Sequence, residues 1–175
     1  MKVRVVWTSR KASFLNPVSP EPRTAVLARG FRASGNVRVF PQGWCAEAAA
    51  FQPAIIAASK EQLSALLGQT APSLTHALIA VLRPGEQPVS EAERERFWRA
   101  FGVPLFEQLV DRSSRRVASE CEAHDGLHLD GRVKEASFEL EGYRLDETPC
   151  GCGRKTPRLR AEGRAELEGI AAYAP

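Results

Sequence analysis

The sequence predicts an α/β fold: a mainly parallel sheet flanked by helices, with a β-hairpin region appended. Three observations lead there. Short apolar runs typical of strands buried on both faces recur at 54–58 (AIIAA), 76–82 (HALIAVL) and 103–106 (VPLF). Between them lie amphipathic segments opened by capping-box patterns, Ser59 with Gln62 and Ser90 with Glu93. Strands alternating with helices at this spacing build a parallel sheet. After Asp111 the texture changes to short alternating runs around a turn, the pattern of a hairpin.

In chain order, Val3–Trp7 reads as a strand, and residues 14–23, with three prolines, as a loop or crossover. Thr24–Ala28 and Val37–Phe40 are strands parted by a glycine-bearing turn. Gly43–Phe51 is an alanine-rich helix ended by Pro53. The helix from Ser59 carries Leu63, Leu66 and Leu67 on one face, and the helix Glu91–Phe101 follows a loop holding Pro84, Gly85 and Pro88. Val117–Glu122 and Leu127–Leu129 flank the turn AHDG, and Ala136–Tyr143 is a further strand. The division expected is one domain over 1–175, with an α/β core at 1–110, a hairpin region at 111–160 and a tail or short helix at 161–175.

Composition narrows the classes. The chain has 175 residues, 43% hydrophobic and 26% charged, which excludes wholesale disorder. No apolar run approaches the roughly 18–20 residues of a membrane span, and the start MKVRVVWTSRKAS lacks the pattern of a secretory signal. The expected location is the cytoplasm. Net charge is +3, distributed as +7 over residues 1–40, −6 over 41–150 and +2 over 151–175. A solvated surface accounts for this more simply than an anionic ligand does. No GxSxG, GxxxxGK[ST] or GxGxxG occurs. The charges of EAERERFW (91–98) read as a solvated helix face, Trp7, Trp44 and Trp98 as core or interface aromatics, Cys45 as a small core residue and His76 as a structural histidine.

The strongest chemical signal is Cys121-x2-His124-x3-His128 followed by Cys150-x-Cys152. Zinc takes four soft or borderline donors in a tetrahedron, and three cysteines with one histidine are a common structural set. If Glu122 pairs with Leu127 across the turn, Cys121 faces His128, with Cβ atoms about 4.5–5.5 Å apart. That favours Cys121, His128, Cys150 and Cys152 as the ligands, with His124 at the turn tip as the alternative. Four protein ligands leave no open position, so the zinc is expected to be structural.

Several stretches resemble the phenylacetate–CoA ligase group of adenylate-forming enzymes: PAIIAASKEQLSALL, RPGEQPVSEAERERFWRAFGVPLFEQ, SECEAHDGLHLD and LDETPCGCGRKTPRLRAEGR. The resemblance spans most of residues 36–164, and the last two stretches are its more specific part. It implies the α/β subdomain of these enzymes' large N-terminal domain. It also supports the zinc site, since some members carry a structural zinc at such Cys and His positions. These enzymes activate a carboxylate with ATP and pass the acyl group to coenzyme A. Their serine-, threonine- and glycine-rich phosphate loop has no counterpart in residues 1–35, and no mobile C-terminal domain follows the matching region. Where Tyr-Gly-x-Thr-Glu is implied after VPLFEQ, residues 109–114 read LVDRSS, without the magnesium-binding Glu. Glu141 falls near the ribose-binding Asp, and Gly163–Glu166 at the hinge, without its Asp.

The expectation is therefore a non-catalytic relative, a zinc-stabilised α/β domain that works in binding or assembly with another protein, with nucleotide binding doubtful. The alternative is an auxiliary or split part of an AMP-forming acyl- or aryl-CoA ligase. A nucleic-acid-binding zinc protein, drawing on Arg154, Lys155, Arg158 and Arg160 and the basic N-terminus, is weaker for want of a reading motif.

Overall fold

The computed structural model describes residues 11–17, 19–69, 72–130 and 142–162. The expected strand Val3–Trp7, nearly all of the strand 136–143, the C-terminal helix, Glu141 and the segment 163–166 lie outside them. Among the described residues the strands are β1 (Ala12–Ser13), β2 (Thr24–Val26), β3 (Phe31–Arg32), β4 (Val37–Val39), β5 (Ile55–Ala58), β6 (Ala77–Leu82), β7 (Leu105–Val110), β8 (Arg116–Glu120), β9 (Leu127–Leu129), β10 (Tyr143–Asp146) and β11 (Arg158–Ala161). The helices are α1 (Ala46–Ala50), α2 (Lys60–Leu66) and α3 (Glu91–Phe101).

Nine strands form one sheet in the order β10-β11-β9-β8-β7-β6-β5-β2-β4, and β1 and β3 form a small parallel pair. The three core strands expected from the apolar runs lie side by side and parallel, β5 with β6 and β6 with β7. The sheet is not mainly parallel, however. Beyond β7 every pairing is antiparallel, so parallel and antiparallel pairings are equal in number. The hairpin β8–β9 is the continuation of the sheet rather than an appendage. β7 makes this possible. It runs to Val110, four residues beyond the expected end, and offers β8 a second hydrogen-bonding edge.

Among the described residues the helices lie on one face of the sheet. Crossovers between parallel strands are right-handed, so connections that advance in one direction along a sheet fall on one face. From β4 to β5, β6 and β7 the order advances one way, and α1, α2 and α3 share a face. Ala48, Leu63, Leu66, Phe97 and Phe101 there pack on Leu27, Ile56, Leu78, Leu82 and Leu105. From β2 to β4 the order runs backwards, and that connection, carrying Phe31, crosses the opposite face. Phe31 and Phe14 pack there on Val26, Ile55, Ile79 and Val110, with the two rings edge-to-face at 5.5 Å.

Both capping boxes form. The Ser59 and Ser90 hydroxyls accept from the backbone N–H of Gln62 and Glu93, whose side chains accept from the cap N–H in return. α3 ends at Gly102 in the left-handed region, φ 65°, a conformation open to glycine at no steric cost. Phe97, 1% exposed, is the inner anchor of α3. Phe97→Ala is expected to cost about 3–5 kcal/mol and Ser90→Ala about 1 kcal/mol, read from urea unfolding midpoints at unchanged slope.

Candidate metal centre

The cluster sits where the antiparallel half of the sheet ends. Cys121 follows β8, His128 is the middle residue of β9, and Cys150 and Cys152 lie in the loop between β10 and β11. The donor atoms of Cys121, His128, Cys150 and Cys152 all lie within 4.8 Å of one another. Cys121 Sγ is 3.7 Å from Cys150 Sγ, and Cys152 Sγ is 3.3 Å from His128 Nε2. All four cysteines of the chain are free thiols. A zinc ion with bonds of about 2.3 Å to sulfur and 2.0–2.1 Å to nitrogen needs sulfur–sulfur edges of about 3.8 Å and sulfur–nitrogen edges of about 3.6 Å. The donor set and its spacing fit such an ion.

The register that brings the donors together differs from the expected one. Glu120, not Glu122, pairs with Leu127, and Ser119, not Cys121, pairs with His128. The connection is thus six residues, 121–126, rather than four. His124 and Gly126 adopt φ of 50° and 86°, and a Cβ at Gly126 would lie 2.8 Å from the Leu159 carbonyl oxygen, so only glycine fits. Cys121 is therefore reached from the end of its strand. His124, the alternative ligand, turns away from the cluster. Its Nδ1 is 3.1 Å from Glu120 Oε1 and its ring lies over Phe106, centroids 4.7 Å apart.

His128 is set up as a donor through Nε2. Its Nδ1 is 3.2 Å from the Thr156 carbonyl oxygen, which can only accept, and 3.0 Å from the Thr156 hydroxyl; the tautomer with the proton on Nδ1 suits both and leaves Nε2 its lone pair. Burial pushes the His128 pKa down against the hydrogen bond to Thr156, and the charges of Arg154 and Arg158 add to the fall. Burial likewise pushes the Cys121 thiol up. Cys150 goes the other way. Burial opposes its thiolate, but hydrogen bonds from the backbone and thiol of Cys152 and from Cys121, with the charge of Arg158, hold it below the usual thiol range. A metal ion needs its thiol ligands deprotonated, so its binding would release protons from this cluster.

Two networks escaped the sequence reading. Arg158 is fully buried and pairs with Asp125 and, at 2.9 Å, with Asp146; Arg160 reaches Asp125 at 2.7 Å. These two arginines are spent on carboxylates, which removes them from the basic patch of the nucleic-acid reading. On the helix face, Arg94 Nη2 lies 3.1 Å from Glu120 Oε2 and 3.5 Å from Glu107 Oε1. The charged side chains of 91–98 thus lie on a solvated face except at Arg94. The exposed Arg99–Glu95 pair fits the expectation. Trp98 is 54% exposed rather than core, while Trp44 and Cys45 pack partly on the core. His76 is exposed, its Nδ1 2.8 Å from Thr75 Oγ1. The interruption of an apolar strand by Glu107 and Gln108 was the available signal for the Arg94 network.

A cleft of ≈ 270 Å³ lies at the C-terminal edge of β2, β5 and β6, lined by Ala28, Arg29, Ser59, Gln62, Val81 and Arg83. Arg83 Nη2 donates across it to the Arg29 carbonyl at 2.7 Å. No helix among the described residues is long and apolar enough to cross a membrane.

The mixed sheet with its helices on one face is similar in fold to part of a CoA ligase. Two solved structures of 2-hydroxyisobutyryl-CoA ligase carry the likeness. One is an open conformation in complex with 2-HIB-AMP and CoA, with TM-score 0.56 and 15% identity over 81% of this chain and 44% of that one. The other is a postadenylation state in complex with R3-HIB-AMP, with TM-score 0.51 and 14% identity over 78% and 42%. At these identities the likeness is one of fold, and the chain spans less than half the length of these ligases. No protein-family model and no curated protein matches the chain.

In the metal-free chain burial holds the His128 pKa below its ordinary value of 6.5, so the unfolded chain takes up this proton before the folded one as pH falls. Proton uptake then favours unfolding. Stability is expected to be full above pH 6.5 and to fall below it, before the carboxylates of Glu120 and Asp125, both held below their ordinary values of 4.5 and 3.8, begin to titrate. Urea unfolding of chelated protein at neutral and mildly acidic pH measures this, and His128→Gln is expected to abolish the first loss only.

Proposed function

We propose that this chain is a non-catalytic relative of the phenylacetate–CoA ligase group, a zinc-stabilised α/β domain that acts by contact with another protein. The observation that carries it is the cluster of three thiols and one imidazole within 4.8 Å, on a fold shared with a CoA ligase. Four protein donors fill a tetrahedral ion and leave no position for substrate, so the zinc staples the hairpin to the loop at 148–153. Elemental analysis is expected to find about one zinc per chain, by the ligand count. Cys150→Ser is expected to lower both zinc content and melting temperature. Protein that is metal-free as purified and equally stable in chelator would reject the staple.

A non-catalytic role draws support from the turn that replaces the ligases' Tyr-Gly-x-Thr-Glu. Asp111 Oδ1 accepts from the backbone N–H of Ser113 at 2.7 Å and of Arg115 at 2.9 Å, and Oδ2 pairs with Arg115 at 2.9 Å. The acidic group nearest the end of β7 is thus consumed in closing the turn rather than turned out for a magnesium ion. The second reading, an auxiliary or split part of an AMP-forming ligase, is favoured by the cleft beside Arg29 and Arg83, since open α/β sheets bind ligands at the carboxyl ends of their strands. Pyrophosphate release with ATP, magnesium and a panel of aryl and fatty acids separates the two. The expected rate is that of the enzyme-free control. Turnover above it, lost in Arg83→Ala, would install the ligase reading instead.

A further inference from the structure

Arg158 is the largest fully buried side chain among the described residues. It sits in β11 directly between His128 of β9 and Asp146 of β10, so the three side chains share one face of the sheet. Nη1 donates to the Asp125 carbonyl at 2.8 Å and to the Asp125 carboxylate. Nη2 donates to Asp146 Oδ2 at 2.9 Å and to Thr148 at its carbonyl oxygen, 3.2 Å, and hydroxyl, 3.0 Å. These acceptors belong to the two segments that carry the three cysteines. Asp125 closes the turn that begins at Cys121, and Thr148 stands two residues before Cys150. The remaining donor, His128, is tied to Arg158 by strand pairing.

A guanidinium out of water is costly unless its donors are met, and its planar fork fixes where the acceptors must stand. A lysine ammonium is a single point and cannot span the same acceptors. The segments gathered here are far apart in sequence, 33 residues from Asp125 to Arg158 and 10 from Thr148. If a metal alone assembled them, its binding would carry the whole cost of ordering both loops. We propose that Arg158 is the positioning residue of the cysteine–histidine centre and holds Cys121, His128, Cys150 and Cys152 together before any metal is bound. The proposal rests on reading these four residues as a metal centre, and extends it to how the centre is formed.

The test uses the full chain, stripped of metal, as wild type and Arg158→Met. Hydrogen exchange is followed by mass spectrometry, and cobalt(II) is titrated against a competing chelator with its thiolate and ligand-field bands as readout. Metal-free wild type is expected to be protected over 121–129 and 146–153. Arg158→Met is expected to lose protection there but not in β5 and β6, and to regain it with cobalt. Cobalt affinity is expected to fall about 10–100-fold, the range for outer-shell partners of metal ligands, with unchanged bands because the donors are unchanged. Arg158→Lys is expected to stay weak, since charge without the fork does not span the loops. Should Arg158→Met fail to fold, Asp125→Asn, which leaves Arg158 in place, is expected to loosen 121–129 and weaken cobalt severalfold. Wild-type exchange over 121–129 and 146–153 in the variants, wild-type cobalt affinity, or a loss of protection spread evenly over the sheet would overturn the proposal. A wild-type chain that develops no cobalt bands would overturn the metal reading, and the exchange measurement still decides whether Arg158 gathers the four side chains.

Discussion

A carboxylate buried at the joint between the two halves of the sheet holds the fold together. Glu120 ends β8 opposite Glu107 of β7, on the face that the helices cover. Its Oε2 accepts from the Glu107 backbone N–H at 2.8 Å and from Arg94 of α3 at 3.1 Å, and its Oε1 meets His124 at 3.1 Å. Two glutamates opposed across a ladder repel, and an unpaired buried charge costs several kcal/mol. Arg94, lying between them, resolves both problems. Burial opposes ionisation of Glu120, yet the His124 hydrogen bond, the Arg94 charge and the Glu107 N–H hold it below the usual carboxylate range. The parallel layer, its helix and the hairpin are thereby fixed to one group, and the turn that carries Cys121 starts at the next residue.

This dependence explains which parts of the fold were legible in the sequence. The runs 54–58, 76–82 and 103–106 announce their strands because a strand buried on both faces needs apolar residues throughout. The helix starts at Ser59 and Ser90 announce themselves because a capping box is a local device with local partners. Neither signal says which pairings are antiparallel. β7 crosses from one regime to the other through Glu107 and Gln108, and a polar pair in an apolar run reads as the end of a strand until its distant partner is known. The layering was equally hidden. Sequence shows that helices alternate with strands, but only the spatial order of β4, β2, β5, β6 and β7 puts all of them on one face.

The cysteine spacing was readable for a similar reason, since few roles explain three cysteines and two histidines within 32 residues. Its detailed geometry was not. A four-residue turn over AHDG is the economical assumption, and it places Cys121 opposite His128. The chain instead ends β8 at Glu120, and the ladder shifts by two residues. His128 joins the three thiols regardless, for the cysteine now approaches from the end of its strand. Parity is preserved by a shift of two, so each side chain keeps its face.

The antiparallel half faces a shortage that the parallel half does not. β9 has three residues and β10 and β11 four each, which is little ladder to hold a sheet edge. On the helix face Leu127, Leu159 and Tyr143 join the main core. On the other face the row that runs in register from β7 to β10 is Gln108, Ser119, His128, Arg158 and Asp146, with no apolar member. Hydrophobic burial cannot stabilise that row, and polar groups taken from water must find partners or destabilise it. Two devices meet the need with the residues already there. The two terminal nitrogens of Arg158 meet five acceptor contacts, with Nε left unpartnered, and the thiols and imidazole beside it converge at the spacing of a metal crosslink. Small folds short of core commonly rely on such staples. A metal ion bound by Cys121, His128, Cys150 and Cys152 would staple the sheet at the end where apolar packing gives out.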